Sequence, residues 1–177
     1  MSEKIIIIGS NCFTASHFID RSLSEDIECI GISRSKEPHD AFLPYKKRES
    51  GKFQFYQFDL NHNLNEIMDI IYDSKAKYIV NFAAQGMVAE SWKNPEQWYQ
   101  TNVVANVKFH DNLRKLDFLE KYVHVSTAEV YGNSEGAIKE STNYNPSTPY
   151  AASKAAADMS LIGFLMHIIS QSFLLDQ

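Results

Sequence analysis

With a net charge of −5 and no Lys/Arg cluster, this 177-residue chain offers nucleic acid no basic surface, and Lys46-Lys47-Arg48 reads as a solvated loop. Its 44% hydrophobic and 22% charged residues suit one domain large enough to bury a core, while no apolar run is long enough for a membrane span or a signal peptide. Two cysteines, Cys12 and Cys29, exclude a disulfide framework and point to a reducing cytoplasm; no metal-ligand cluster is read in the chain.

Lys4 to Ile8 is a short, continuously apolar, β-branched run, the mark of a central parallel strand. It ends at Gly9, and Thr14 to Leu23 then reads as a helix. Strand, glycine turn and helix open a dinucleotide-binding unit, in which the helix N-terminus meets a pyrophosphate. The loop Gly9, Asn11, Cys12, Phe13, Thr14 is the candidate phosphate cradle. At the spacing G-x-x-G-x-x-G, however, it carries Gly9, Cys12 and Ala15. Ala15 still permits close helix packing, whereas Cys12 puts a side chain where backbone usually approaches phosphate. Taken alone, this loop leaves cofactor binding open.

Glu28 to Ser33 is the second strand, followed by Arg34. An acid at this point would bond the ribose 2′-hydroxyl of NAD, and an arginine accommodates a 2′-phosphate, so Ser33-Arg34 leans toward NADP. An ordinary surface arginine is the alternative. Residues 38–51 are loop-like, Phe53 to Phe58 is a third strand with Asp59-Leu60 just beyond it, and Leu64 to Tyr72 is an amphipathic helix. Tyr78 to Phe82 is the fourth strand and runs into Ala83-Ala84-Gln85. Two alanines there let a flat ligand approach the backbone, or simply permit tight helix–sheet packing. A long helix over Pro95 to Leu116 follows, and its Asn102 and Asn106 are unfavourable unless paired. Tyr122 to Ser126 is the fifth strand. This alternation predicts an α/β fold, a doubly wound parallel sheet of the Rossmann type, with Gly9, Ser33, Asp59, Ala83 and Thr127 at strand carboxyl ends, where such sheets bind ligands.

The stretch from Val125 to Lys154 reads V-S-T-A-E-V-Y-G, a polar loop, then P-Y-A-A-S-K. Tyr150 and Lys154 lie four residues apart, so on a helix they share a face; Thr148 suits its cap and Pro149 its first turn. An ammonium beside a phenol favours the ionised form, which can take a proton from a sugar hydroxyl while a hydride leaves the same carbon. Thr127 can offer its hydroxyl to the same oxygen. A chance Tyr/Lys pair at an exposed helix start is the alternative when the motif is taken by itself.

Taken together, Asp59-Leu60, N-F-A-A-Q (81–85), E-S-W-K-N-P (90–95), Q-T-N-V (100–103), H-V-S-T-A-E-V-Y-G (124–132) and N-P-S-T-P-Y-A-A-S-K-A-A-A-D (145–158) are specific. The chain resembles the extended short-chain dehydrogenase/reductases, in the NAD-dependent epimerase/dehydratase group, and most of all the sugar-nucleotide 4,6-dehydratases acting on dTDP-glucose or GDP-mannose. The likeness covers about Lys4 to Leu161. It implies Tyr150 as base for the C4 hydroxyl, Lys154 on the nicotinamide ribose, Thr127 on the C4 oxygen and Glu129 as the base that removes the C5 proton. Asp59 and Leu60 would flank the adenine, with Ala83, Ala84, Gln85 and Thr101 lining an NAD or NADP cofactor. The implied partners are a nucleotide-sugar substrate and a second copy in a homodimer, with no membrane.

Three positions depart from that pattern. Ala128 stands where the dTDP-glucose enzymes carry an aspartate as general acid; GDP-mannose dehydratases also lack it and use NADP, so Ala128 and Arg34 lean the same way. Gly86-Met87 replaces a common Ser-His pair. A 4-epimerase would need Thr127, Tyr150 and Lys154 without Glu129, and a non-catalytic cofactor-binding remnant or partner-binding module is a third reading. The domain is expected over residues 1–160, with an apolar tail at 161–177 unlike the family and no substrate domain. The tail can continue the helix as an apolar face. Back-translated and read one nucleotide earlier, its codons allow L-N-A-Y-H-F-P-V-V-F-T-R-S, the best-fitting choice among the wobble alternatives. That string resembles the family's next segment. The tail is therefore read as a frameshift product, which would leave the chain weakly active or inactive; an ordinary truncated chain is the alternative.

Overall fold

The computed structural model describes residues 3–48, 51–133 and 136–175, with side chains on the last helix as far as Phe164. The apolar face expected of the tail lies outside the described side chains. Five strands, β1 (Lys4–Ile8), β2 (Glu28–Ser33), β3 (Phe53–Gln57), β4 (Tyr78–Asn81) and β5 (Lys121–His124), form one parallel sheet in the order β3-β2-β1-β4-β5. Ile6 lies opposite both Ile30 and Ile79, which fixes the central register. Chain order runs outward from β1 in one direction to β3 and in the other to β5, so the switch point of the sheet falls between β1 and β4.

The one expected domain is two compact units: residues 1–84 with 116–125, and residues 85–115 with 126–177. In the first, Ile6 and Ile7 of β1 are fully buried and Ile5 and Ile8 nearly so, as a central strand requires. Helix α1 (Phe13–Ser24) lays Ala15, Ile19 and Leu23 on the core formed by Ile5, Ile7, Cys29 and Val80, with Leu43 and Tyr45 from the loop after β2. Helix α2 (Leu64–Ser74) buries Ile67, Met68 and Ile71, the apolar spacing seen in the sequence. Ile5, Phe18, Val80, Phe82, Val123 and Val125 line an apolar groove of about 350 Å3 on this unit.

The second unit is helical. The predicted long helix is α3 (Pro95–Tyr99), a π-helical turn (Gln100–Ala105) and α4 (Asn106–Leu113) in unbroken succession. It stops three residues before Leu116, where the chain turns back toward β5 in the first unit. The π turn follows from the two asparagines: Asn106 Nδ2 donates to the Asn102 carbonyl at 2.9 Å and to that of Thr101 at 3.3 Å. Trp98, Phe109, Leu113, Ala151 and Ala155 are buried where these helices meet α5 (Pro149–Leu175). The backbone of α5 continues through the tail as far as Leu175. Among the described residues no helix is long and apolar enough to cross a membrane.

Strand ends differ slightly from expectation. The fifth strand closes at His124 rather than Ser126; the Val125 amide still donates to the Asn81 carbonyl at 3.0 Å, and the chain then leaves the sheet.

Candidate active site

In the first unit the carboxyl ends of β1, β2 and β4 converge. Gly9 has a φ of +79°, and its amide donates to the Ile32 carbonyl at 2.7 Å. A Cβ at Gly9 would sit 2.6 Å from the Ala83 nitrogen, so only glycine lets these two chain segments touch. Ala83 is held in turn by its amide bond to Asn81 Oδ1 at 2.9 Å. Next to Gly9, Ser10 is fully buried, and its hydroxyl has no hydrogen-bond partner among the described residues, nor has Asn11 Oδ1. Asn11 Nδ2 donates to the carbonyls of Ser35 and Lys36, both at 2.9 Å, and so ties the glycine loop to the segment after Ser33-Arg34.

Cys12 caps α1: its Sγ accepts from the Ala15 amide at 3.4 Å, the position a serine or aspartate oxygen takes in other helices. Cys12, Phe13 and Thr14 are all exposed, leaving the first turn of a 12-residue helix open to an anion. The side chain that looked obstructive in the sequence is folded back onto the helix as its cap. Beyond β3, Asp59 Oδ1 accepts from the Asn61 amide at 2.8 Å and Leu60 is buried. Arg34 is exposed, and its carbonyl accepts from Gln57 Nε2 at 3.2 Å. A glycine cradle, orphaned polar atoms and an open helix start fit a dinucleotide.

The second unit holds the proton-transfer candidates. Thr148 Oγ1 accepts from the Ala151 amide at 3.1 Å, which starts α5 where the sequence places its cap. Tyr150 and Lys154 follow on successive turns, Tyr150 half-buried and Lys154 only 2% exposed. Burial pushes the Lys154 pKa down, and the charge of Asp158 one turn later opposes that shift. Thr127 caps a 3-10 turn over Ala128–Tyr131, its Oγ1 accepting from the Glu129 amide at 3.4 Å, and the Glu129 side chain is exposed. That turn is joined to the segment before α5 by the Asn145 amide bond to the Val130 carbonyl at 2.9 Å. Gly132 makes this approach feasible, since a Cβ there would lie 2.1 Å from the Asn145 carbonyl oxygen.

Gln85 and Thr101 also belong to this unit. Asn102 Oδ1 accepts from the Gln85 amide at 2.7 Å, and its Nδ2 donates to the Gln85 carbonyl at 3.1 Å and to Ser153 Oγ at 2.9 Å. Ser153 Oγ donates to the Tyr150 carbonyl at 2.7 Å. The fully buried Asn102 thus ties the Gln85 strand exit to the helix that carries Tyr150 and Lys154. Its sequence signal was an asparagine inside a helix that demanded a partner. Ser126 and Asp158 have no role in the sequence reading, although the Ser126 hydroxyl donates to Asp158 Oδ2.

A profile of the GDP-mannose 4,6 dehydratase family matches residues 6–166. A dTDP-glucose 4,6-dehydratase of Xanthomonas campestris pv. campestris is 35% identical over 165 residues, covering 86% of this chain and 46% of that protein. A UDP-glucose 4-epimerase of Streptococcus mutans is 31% identical over 156 residues, covering 85% and 44%. The solved structure of dTDP-glucose 4,6-dehydratase from Bacillus anthracis, in complex with NAD, superposes with a TM-score of 0.78 at 25% identity, covering 94% of this chain and 51% of that one. The chain spans about half the length of the relatives it matches. Because the family profile runs through almost the whole chain, the protein belongs to the GDP-mannose 4,6-dehydratase family of NAD-dependent epimerases and dehydratases.

Proposed function

We propose that the protein serves as an NAD(P)-dependent sugar-nucleotide 4,6-dehydratase, with this chain supplying the cofactor cradle and the proton-transfer groups. The observation that carries the reading is the second unit's combination of a Thr127-capped turn bearing Glu129 with Tyr150 and Lys154 on successive turns of α5. A nicotinamide held beside Lys154 would supply the hydride acceptor for sugar C4 and the hydride donor for C6. Tyr150 takes the proton of the C4 hydroxyl as the carbon is oxidised to a ketone, with Thr127 hydrogen-bonded to that oxygen. Lys154, buried on α5, would hold the nicotinamide ribose and, as an ammonium, would favour the phenolate. Glu129 removes the proton at C5, now acidified by the ketone, and passes it to the C6 hydroxyl, which leaves as water. The proton that Tyr150 took from the C4 hydroxyl balances the one that C5 regains once C6 is reduced.

Gly9, Asn11, Cys12, Phe13 and Thr14 would receive the pyrophosphate, Asp59 and Leu60 the adenine, and Ala83, Ala84, Gln85 and Thr101 the rest of the cofactor. Exposed Arg34 after Ser33 supports NADP over NAD, and with Ala128 it supports a GDP-sugar over a dTDP-sugar. A cytoplasmic homodimer is the further family expectation, and sedimentation of the pure chain checks its assembly.

The 31%-identical epimerase favours one rival, since 4-epimerisation uses Thr127, Tyr150 and Lys154 without a base at Glu129. Glu129→Gln separates the two: dehydration is lost, whereas epimerisation survives. Titration with NADP and NAD addresses the third reading. Binding without cofactor reduction by any sugar nucleotide makes the chain a cofactor-binding remnant, and absence of binding removes the cofactor role altogether.

A further inference from the structure

Ser126 immediately precedes Thr127, and Asp158 lies one helical turn beyond Lys154 on α5. The Ser126 hydroxyl donates to Asp158 Oδ2, joining positions 32 residues apart in sequence. Both ends of this bond sit directly beside residues given chemical roles above, yet neither Ser126 nor Asp158 reaches a reacting atom in that scheme. Lys154 adds a second reason for an acid at this place. An ammonium only 2% exposed requires a compensating charge, and the Asp158 carboxylate is one that bears on it.

We propose that Asp158 is a positioning residue: through its hydrogen bond with Ser126 it holds Thr127 and the turn bearing Glu129 against the face of α5 that carries Tyr150 and Lys154. A carboxylate acceptor makes this a charge-assisted bond, stronger and more directional than a link between two neutral groups. Serine at 126 is the shortest side chain that can donate from the strand exit. The bond therefore fixes the spacing of Thr127 from the helix. Burial raises the Asp158 pKa, and the Ser126 bond and the Lys154 charge oppose that rise by favouring the carboxylate.

The inference rests on the dehydratase reading for its catalytic consequence, but the pin itself is measurable without turnover. Ser126→Ala, Asp158→Ala, the double variant and Ser126→Thr are compared in the full 177-residue chain. Amide exchange is followed by mass spectrometry over the 127–132 turn, where the Glu129, Val130 and Gly132 amides are hydrogen-bonded. Each single alanine variant should speed exchange there by about tenfold or more, the double variant no further, and Ser126→Thr should restore the parent rate. Unchanged exchange, or single effects that simply add in the double variant, overturns the pin.

In parallel, absorbance at 340 nm follows reduction of bound cofactor by GDP-mannose or dTDP-glucose in a single turnover. The alanine variants should slow reduction at least about tenfold, with cofactor affinity within about twofold of the parent and with Ser126→Thr recovering the rate. Faster exchange over the turn with no change in the reduction rate overturns the positioning role. A parent chain that reduces no cofactor counts against the dehydratase reading instead, and the exchange comparison still decides whether Asp158 and Ser126 act as one element.

Discussion

Asn102→Leu removes the central polar residue of the second unit while keeping nearly the same volume. Asn102 is 1% exposed and makes three side-chain hydrogen bonds: with the Gln85 amide, the Gln85 carbonyl and Ser153. At about 1 kcal/mol net for each bond, the substitution costs about 3 kcal/mol, a large share of a typical domain's stability. With a urea dependence of about 2 kcal/mol/M, the unfolding midpoint should fall by about 1.5 M at unchanged slope. Both tryptophans, Trp92 and Trp98, lie in this unit, and Trp98 donates to the Gly86 carbonyl at 2.7 Å, so intrinsic fluorescence reports the affected region directly. Asn102→Asp retains an acceptor for the Gln85 amide but loses both donated bonds and buries a carboxylate against the Gln85 carbonyl, so it should fall at least as far as the leucine variant. A midpoint shift below about 0.5 M for Asn102→Leu would refute the claim that these bonds hold the strand exit to the helices.

Acid should weaken the same unit through His110, which is 3% exposed and whose pKa burial lowers from 6.5 to about 4. The folded state keeps it neutral and the unfolded chain protonates it near 6.5, so its stabilising contribution is complete above that value and is lost as pH falls toward 4. Between pH 7 and 5 the loss is about 2 kcal/mol, measured by urea midpoints, and His110→Leu should remove that part of the slope. Gly132→Ala, at φ +71° and against the Asn145 carbonyl, should destabilise by about 1–3 kcal/mol, whereas Gly163→Ala, in open space on α5, should stabilise by up to about 1 kcal/mol. Thermal unfolding of the pair checks the contrast. Iodoacetamide at neutral pH should label exposed Cys12 and spare buried Cys29, whose thiol is pushed up to about 12 by burial. Mass spectrometry reads both sites, and bound NADP should slow the Cys12 reaction; equal labelling of Cys29 in the native protein would contradict its burial.

The sheet was legible because its signals are local and redundant. Four consecutive isoleucines in β1 admit little besides a strand covered on both faces, and Gly9 directly after them marks the turn. The Thr148 cap and Pro149 likewise place the start of α5 to the residue. What the sequence hid depends on contacts between distant residues. Cys12 read as an intruder in the phosphate loop, because side-chain identity does not reveal that its Sγ turns back to cap α1. Asn102 could be flagged as needing a partner, but not as meeting both backbone groups of a residue 17 positions earlier. Such a residue departs from the local helix rule in return for a bond made elsewhere. Asp158 was quieter still: an acid four residues after a lysine on a helix is usually a surface ion pair. Only the burial of Lys154 and the donor at Ser126 distinguish it, and both arise from contacts formed on folding within the second unit. The residues easiest to miss are therefore those that hold the reacting groups in place, since their partners are set by tertiary structure rather than by spacing along the chain.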